Sequence, residues 1–217
     1  MTAPKRAMPT AQKRILQAAM EVFSDSGFYK ATVRDICLKA SVNVAAIHYY
    51  FGSKEKLYEA VVKQSLGLSE TGAEQLKAFG EGQGPEQALA GFIRTFLFEI
   101  LDQSKTVYGG KLMAWELNQP TDAFDMIISD IIRPNHERLC AIVASLLGAG
   151  AGDDLVKKCV FSIVGQCLHY RYGRPVIAQL HPAQGFDAGS FDTIAEHITR
   201  FSLGALRQIA DEMNHEE

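Results

Sequence analysis

The 217-residue sequence predicts an all-α protein, and three observations predict it. Apolar residues recur at helical spacing from Thr10 almost to the C-terminus. Capping residues, Thr32, Asn43 and Ser53, stand immediately before three successive apolar-periodic runs. The alternating pattern of a half-buried strand is essentially absent. The length suffices for a small N-terminal domain and one larger domain with a substantial core.

In chain order, the first helix is expected from Thr10 to Ser26. Thr32 opens the second, with Asp35 three residues on in a capping-box-like start and Val33, Ile36, Cys37 and Ala40 on its periodic face. Ser41-Val42-Asn43 is a turn, in which Val42 pins to the core and Asn43 caps the next helix. That third helix runs from Val44 to about Tyr50 and is broken by Gly52. Ser53 caps a fourth, which carries Leu57, Val61, Val62 and Leu66 and continues past Ser69. Gly80, Gly82, Gly84 and Pro85 mark a break, after which Glu86–Gln103 reads as a helix through Leu89, Phe92, Ile93, Phe96, Leu97 and Ile100. Further helices are expected at Thr106–Asn118, at Thr121–Leu147 with a kink or break near Pro134, at Asp153–Tyr172 and at Ser190–Met213. Val176–Pro182 reads as a short helical turn in a loop ending in Gly185 and Gly189.

The third helix carries the most information. On a helical period Ile47 and Phe51 share one face and pack inward, while Val44, Ala45, His48 and Tyr49 crowd the other. A buried helix has no reason to turn alanines and a histidine outward where a side chain would meet a base edge. A helix, a tight turn and such a second helix form a DNA-reading element. Lys54, in the first turn of the fourth helix, is unfavourable for the helix dipole, and a phosphate supplies the reason for it. Charge divides the same way: residues 1–65 hold 10 Lys/Arg against 5 Asp/Glu, and the remainder 12 against 20, so a basic end is attached to an acidic body. That is the electrostatic footprint of a nucleic-acid-binding domain. Lys5, Arg6, Lys13 and Arg14 cluster in or before the first helix, either as a solvated arm or as a backbone or groove contact.

These residues resemble the DNA-binding domain of the TetR family of bacterial one-component transcriptional regulators. The resemblance is carried by Phe23, Gly27-Phe28, Thr32, Ala40-Ser41-Val42, Ile47-His48-Tyr49-Tyr50-Phe51 and Lys54-Glu55-Lys56-Leu57, over about fifty residues. Two positions depart from the family pattern. Ser41 stands where Gly is usual, which asks a residue with a Cβ to adopt a left-handed backbone, and His48 stands where Tyr is frequent. The resemblance implies an N-terminal three-helix helix-turn-helix DNA-binding domain, set here at residues 1–53, and a C-terminal helical ligand-binding and dimerisation domain, residues 54–217. Thr32, Tyr49, Tyr50 and Lys54 are expected to contact phosphates. Val44, Ala45, Ala46 and His48 are expected to face bases, the first three through thymine methyls and His48 as the main polar reader, with Arg34 a candidate guanine partner.

In the larger domain, the last two long helices carry more apolar surface than a single partner needs, and Gly165 and Gly204 would permit close approach. A homodimer through this helix pair is expected, because a palindromic operator on double-stranded DNA requires twofold symmetry. Phe92, Phe96, Tyr108, Met113, Trp115, Phe124 and His169 supply aromatic and apolar walls with a few polar tips, the usual chemistry of a small-molecule cavity; each taken singly reads as ordinary core, and it is a one-component regulator's need for a sensing site that favours the cavity. Residues 115–148, with Gln119-Pro120-Thr121, Ile132-Arg133-Pro134 and Leu146-Leu147-Gly148, resemble the C-terminal domain of the CecR-like branch of the family. That resemblance implies a hydrophobic or aromatic effector, such as an antibiotic or other toxic compound.

Other classes find little support. The four cysteines, Cys37, Cys140, Cys159 and Cys167, lack CxxC spacing, so neither a disulfide framework nor a metal site is expected. There is no Gly-rich phosphate loop and no nucleophile elbow, so no catalytic residues and no cofactor are expected. An architectural helical protein without a small-molecule signal is the remaining alternative. The basic N-terminus runs into an amphipathic helix instead of an apolar leader, and no apolar run reaches membrane-spanning length. The expected location is cytoplasmic.

Overall fold

The computed structural model describes residues 10–66, 84–101 and 108–215. Among them every regular element is helical, in the order α1 (Thr10–Lys30), α2 (Val33–Ala40), α3 (Val44–Phe51), α4 (Lys54–Ser65), α5 (Pro85–Leu101), α6 (Gly109–Asn118), α7 (Ala123–Ile127), a π-helical turn (Ile128–Ile132), α8 (Arg133–Leu147), α9 (Asp153–Tyr172), α10 (Arg174–Leu180) and α11 (Ala188–His215). No helix among the described residues is long and apolar enough to cross a membrane. The all-α expectation holds. The expected extension of the fourth helix past Ser69, the breakers Gly80 and Gly82, and the arm residues Lys5 and Arg6 lie outside the described residues.

The described residues fall into two compact units. The first comprises α1 to α4 together with α6 and α7, so the segment up to Ile128 packs with the N-terminal helices. Its core is Ile15, Leu16, Ala19, Phe23, Ile36, Ile47, Leu57, Tyr58, Val61 and Leu112, all buried. An aromatic cluster joins α1 to α4, with the Phe23 and Tyr58 rings edge-on at 4.8 Å and Phe28 5.0 Å from Tyr58. The helix expected to end at Ser26 is interrupted one residue later: Gly27 has φ 72 and ψ 171, and a last turn follows to Lys30. Gly is required there twice over, because φ is positive and an added Cβ would lie 2.9 Å from the Trp115 indole.

The second unit comprises α5 and α8 to α11. Its core gathers Leu89, Ile93 and Leu97 from α5, Leu139 and Val143 from α8, Val160 and Ile163 from α9, and Ile194, Ile198 and Leu206 from α11. Ion pairs Arg94–Asp192 (2.6 Å) and Arg207–Glu86 (2.7 Å) link α5 to α11 at the exposed edge, where such pairs add little. The break expected near Pro134 is a π turn directly before it. Pro134 has no N–H to offer the Asp130 carbonyl and its ring crowds that turn, so the helix widens; Asn135 donates its side-chain amide to the Ile131 carbonyl at 3.0 Å. The short turn expected at Val176–Pro182 is a helix set slightly earlier, α10.

Candidate nucleic-acid interface

Three side-chain caps build the helix-turn-helix segment. The Thr32 hydroxyl accepts the Asp35 N–H at 3.1 Å and donates to the Asp35 carboxylate at 2.6 Å, closing the start of α2. Asn43 accepts the Ala46 N–H at 2.9 Å and Ser53 the Lys56 N–H at 3.3 Å, opening α3 and α4. Between α2 and α3, Ser41 has φ 52 and ψ 53, the left-handed conformation expected of it, and is the sole non-glycine with positive φ among the described residues. Its N–H bonds back to Leu38 O and that of Val42 to Cys37 O, which satisfies carbonyls left open at the end of α2.

This turn presents α3 as its sequence pattern requires. Ile47 is fully buried and locks the helix on the core. Opposite it, Val44 is 47% exposed and Tyr49 83%, with Ala45 and His48 also exposed. Ala46, Tyr50 and Phe51 are half-buried. The Tyr49 and Tyr50 rings meet edge-on at 5.0 Å. Thr32 and Arg34 are exposed at the start of α2, although the Thr32 hydroxyl is already engaged by Asp35. The Lys54 ammonium lies 4.3 Å from the centre of the Phe28 ring, and burial against that ring lowers its pKa, with Glu55 opposing. Lys13 and Arg14 are exposed on α1.

Behind this face sits a buried carboxylate that sequence reasoning passed over. Glu116 of α6 is fully buried and accepts the Tyr58 phenol at 2.7 Å, the Thr121 N–H at 3.0 Å and the Thr121 hydroxyl at 3.0 Å. Burial and the hydrogen bond to Glu116 push the Tyr58 phenol well above its ordinary range. A signal was present: Glu116 lies four residues after buried Leu112, in phase with the apolar face. The network joins α4, which follows α3 directly, to α6 and the residues opening α7. Lys111–Asp25 (2.8 Å) and a bond from Trp115 Nε1 to the Ser24 carbonyl (3.1 Å) fasten α6 to α1.

The seven residues expected to line an effector cavity are divided between the units. Phe92 and Phe96 stack 6.0 Å apart in the second, where His169 is exposed beside Tyr170. Tyr108, Met113, Trp115 and Phe124 belong to the first, all half-buried, with the Tyr108 hydroxyl 3.1 Å from the Gln17 amide. A depression of about 610 Å³ on the second unit is lined instead by Tyr170, Gln184, Thr193, Ile194, Glu196, His197 and Arg200. Cys37, Cys159 and Cys167 are buried thiols, Cys167 pushed up to about 12 chiefly by desolvation. Among the described residues no three His, Cys, Asp or Glu side chains cluster as metal ligands would.

A basic end, a capped helix-turn-helix and an outward, uncharged second helix define a DNA-binding regulator by fold. Comparison with known proteins makes the assignment specific. The model of bacterial regulatory proteins of the tetR family matches residues 15–61, and that of the C-terminal domain of the HTH-type transcriptional dual regulator CecR matches residues 85–206. The chain is similar to CecR of Shigella flexneri, 29% identical over 87% of this chain and 88% of that protein. It is also similar to the transcriptional regulator RutR of Escherichia coli K12, 26% identical over 93% of each. Its fold matches a TetR-like transcriptional regulator from Rhodococcus sp. RHA1 with a TM-score of 0.56, 18% identity and coverage of 98% of this chain and 100% of that one. The protein belongs to the TetR family and carries a CecR-type C-terminal domain. It is a DNA-binding transcriptional regulator and not an enzyme.

Proposed function

We propose that the protein is a cytoplasmic, ligand-responsive repressor, a homodimer that grips a palindromic operator with two copies of α3 and lets go when a hydrophobic or aromatic small molecule binds. The observation that carries this reading is the exposed face of Val44, Ala45, His48 and Tyr49, held at a fixed angle by the Asn43 cap and the left-handed Ser41 turn. Exposed Phe161 and Phe201, 63% and 62% accessible on α9 and α11, support a dimer through these helices. Base contact is assigned to Val44, Ala45, Ala46 and His48, with Arg34 beside them; phosphate contact to Thr32, Tyr49, Tyr50 and Lys54.

Effector contacts are proposed at Phe92, Phe96 and His169. Tyr108, Met113, Trp115 and Phe124, on the segment tied to α1 and α4, would receive the change. The chain runs from α7 through the π turn into α8, and Glu116 links this segment to Tyr58 of α4. An effector that favours protomers whose recognition helices depart from the ~34 Å groove repeat weakens DNA binding by the same coupling, typically ~1 to 3 kcal/mol.

Selection of bound duplexes from a random pool tests the first half of the reading, a palindrome being the expected result. A panel of hydrophobic compounds tests the second: those that raise the melting temperature should release the selected operator. Compounds that stabilise the protein without changing DNA affinity would leave an architectural DNA-binding protein. The Shigella relative is named a dual regulator, so transcription from a promoter carrying the selected operator is measured for change in either direction.

A further inference from the structure

We infer that His48 reads an exocyclic amino group in the major groove, adenine N6 or cytosine N4, through a lone pair on Nε2. The inference rests on the proposal that α3 is the DNA-contacting helix, and it adds the chemistry of the base that the helix selects.

The geometry fixes the tautomer. His48 Nδ1 lies 2.8 Å from the Gly52 carbonyl oxygen. A carbonyl oxygen can only accept, so Nδ1 must carry the proton, and in a neutral imidazole Nε2 is then the acceptor. The arrangement is doubly tied, because the Gly52 N–H donates to the His48 carbonyl at 3.0 Å. Gly52 has φ 82 and ψ −56, a conformation that residues with a Cβ rarely adopt. Gly52 is thus a positioning residue, turning its carbonyl back onto the ring four residues earlier. Nε2 has no partner among the described residues, and the ring is exposed on the same face as Val44.

A lone pair on this surface has few possible partners on DNA. Phosphates and deoxyribose present only acceptors. In the major groove guanine shows N7 and O6 and thymine O4, all acceptors, and the donors are adenine N6 and cytosine N4 alone. His48 therefore discriminates by what it cannot donate: it accepts from A or C and is repelled by the guanine edge. The frequent tyrosine at this position carries a hydroxyl that can donate, so the departure changes which bases are accepted.

The test uses the full-length protein and an operator selected from random duplex DNA. Each adenine of a half-site is replaced in turn by purine and each cytosine by 2-pyrimidinone, which deletes one amino group at a time. Wild-type protein should lose roughly 5- to 100-fold in affinity at one position per half-site, as expected for loss of a specific base contact. The His48→Ala protein should lose less than about twofold there, cancelling any effect of the modified base on the duplex itself. His48→Arg should move the preference at that position to guanine. Sequence-selective binding with no amino group that distinguishes wild type from His48→Ala, or a wild-type preference for guanine or thymine at the position that His48→Ala relaxes, would overturn the assignment alone. Failure to select any sequence would overturn the DNA-reading proposal with it.

Discussion

The helix-turn-helix segment and the second unit are both helical, yet they are held in different ways. At α2, α3 and α4 a side chain caps each N-terminus, through Thr32, Asn43 and Ser53. In the second unit, among the described residues, α11 alone is capped by a side chain, Asp187 accepting the Ser190 N–H at 2.8 Å, while α8 continues from the π turn and α9 and α10 begin after Gly152 and Gly173. The second unit is held by its continuous apolar cluster, which is tolerant of repacking. Caps are directional bonds of fixed length, and they suit a helix that must offer particular atoms to a groove. Side-chain caps fix the starts of the three helix-turn-helix elements, and one apolar cluster holds the second unit together.

The contrast can be broken most severely at Glu116. Glu116→Ala leaves the Tyr58 phenol and two Thr121 donors unpaired, and should destabilise the protein by about 3 to 5 kcal/mol in urea melts; a loss below about 1 kcal/mol would mean the network does not hold the first unit together. Tyr58→Phe, which removes a single donor, should cost about 1 to 2 kcal/mol. Gly27→Ala combines a positive φ with a close approach to Trp115, and a loss of about 1 to 3 kcal/mol is expected. Asn43→Ala should cost about 1 kcal/mol and also weaken operator binding in a titration; unchanged DNA affinity would show that the cap serves stability alone. Lys54→Ala should reduce the slope of log affinity against log salt by about 0.9 without altering base preference. A shift in preferred bases would move Lys54 from the phosphates to the base edges. The mildest expectation sharpens the comparison from the other side. Gly152 has φ −69 and ψ 150 and open space at its Cβ, so Gly152→Ser supplies the missing cap and should stabilise α9 by about 0.5 kcal/mol.

What the sequence made legible follows the same division. Caps, the left-handed turn at Ser41, the inward Ile47 and the outward His48 are local matters, settled within four residues of one another, and pattern reading reaches them. The π turn at Ile128–Ile132 was anticipated as a break near Pro134, because proline's missing N–H is a local fact too, but its widened geometry was not. The pairing of Glu116 with Tyr58, 58 residues apart, depends on which helices meet. So does the placement of Trp115 against Gly27, where an aromatic expected in a cavity wall fills the gap that a glycine leaves on α1. Side-chain type predicted a half-buried aromatic; only packing decided what it touches.

Trp115 is the chain's only tryptophan, and its indole rests on Gly27 while its Nε1 donates to the Ser24 carbonyl. Intrinsic fluorescence excited at the red edge therefore reports on the DNA-reading unit alone, with no engineered label. A loosening confined to α8–α11 would pass unseen by that signal and appear only in circular dichroism, so the two optical readouts, taken together, tell an effector that relaxes one end from one that disturbs both.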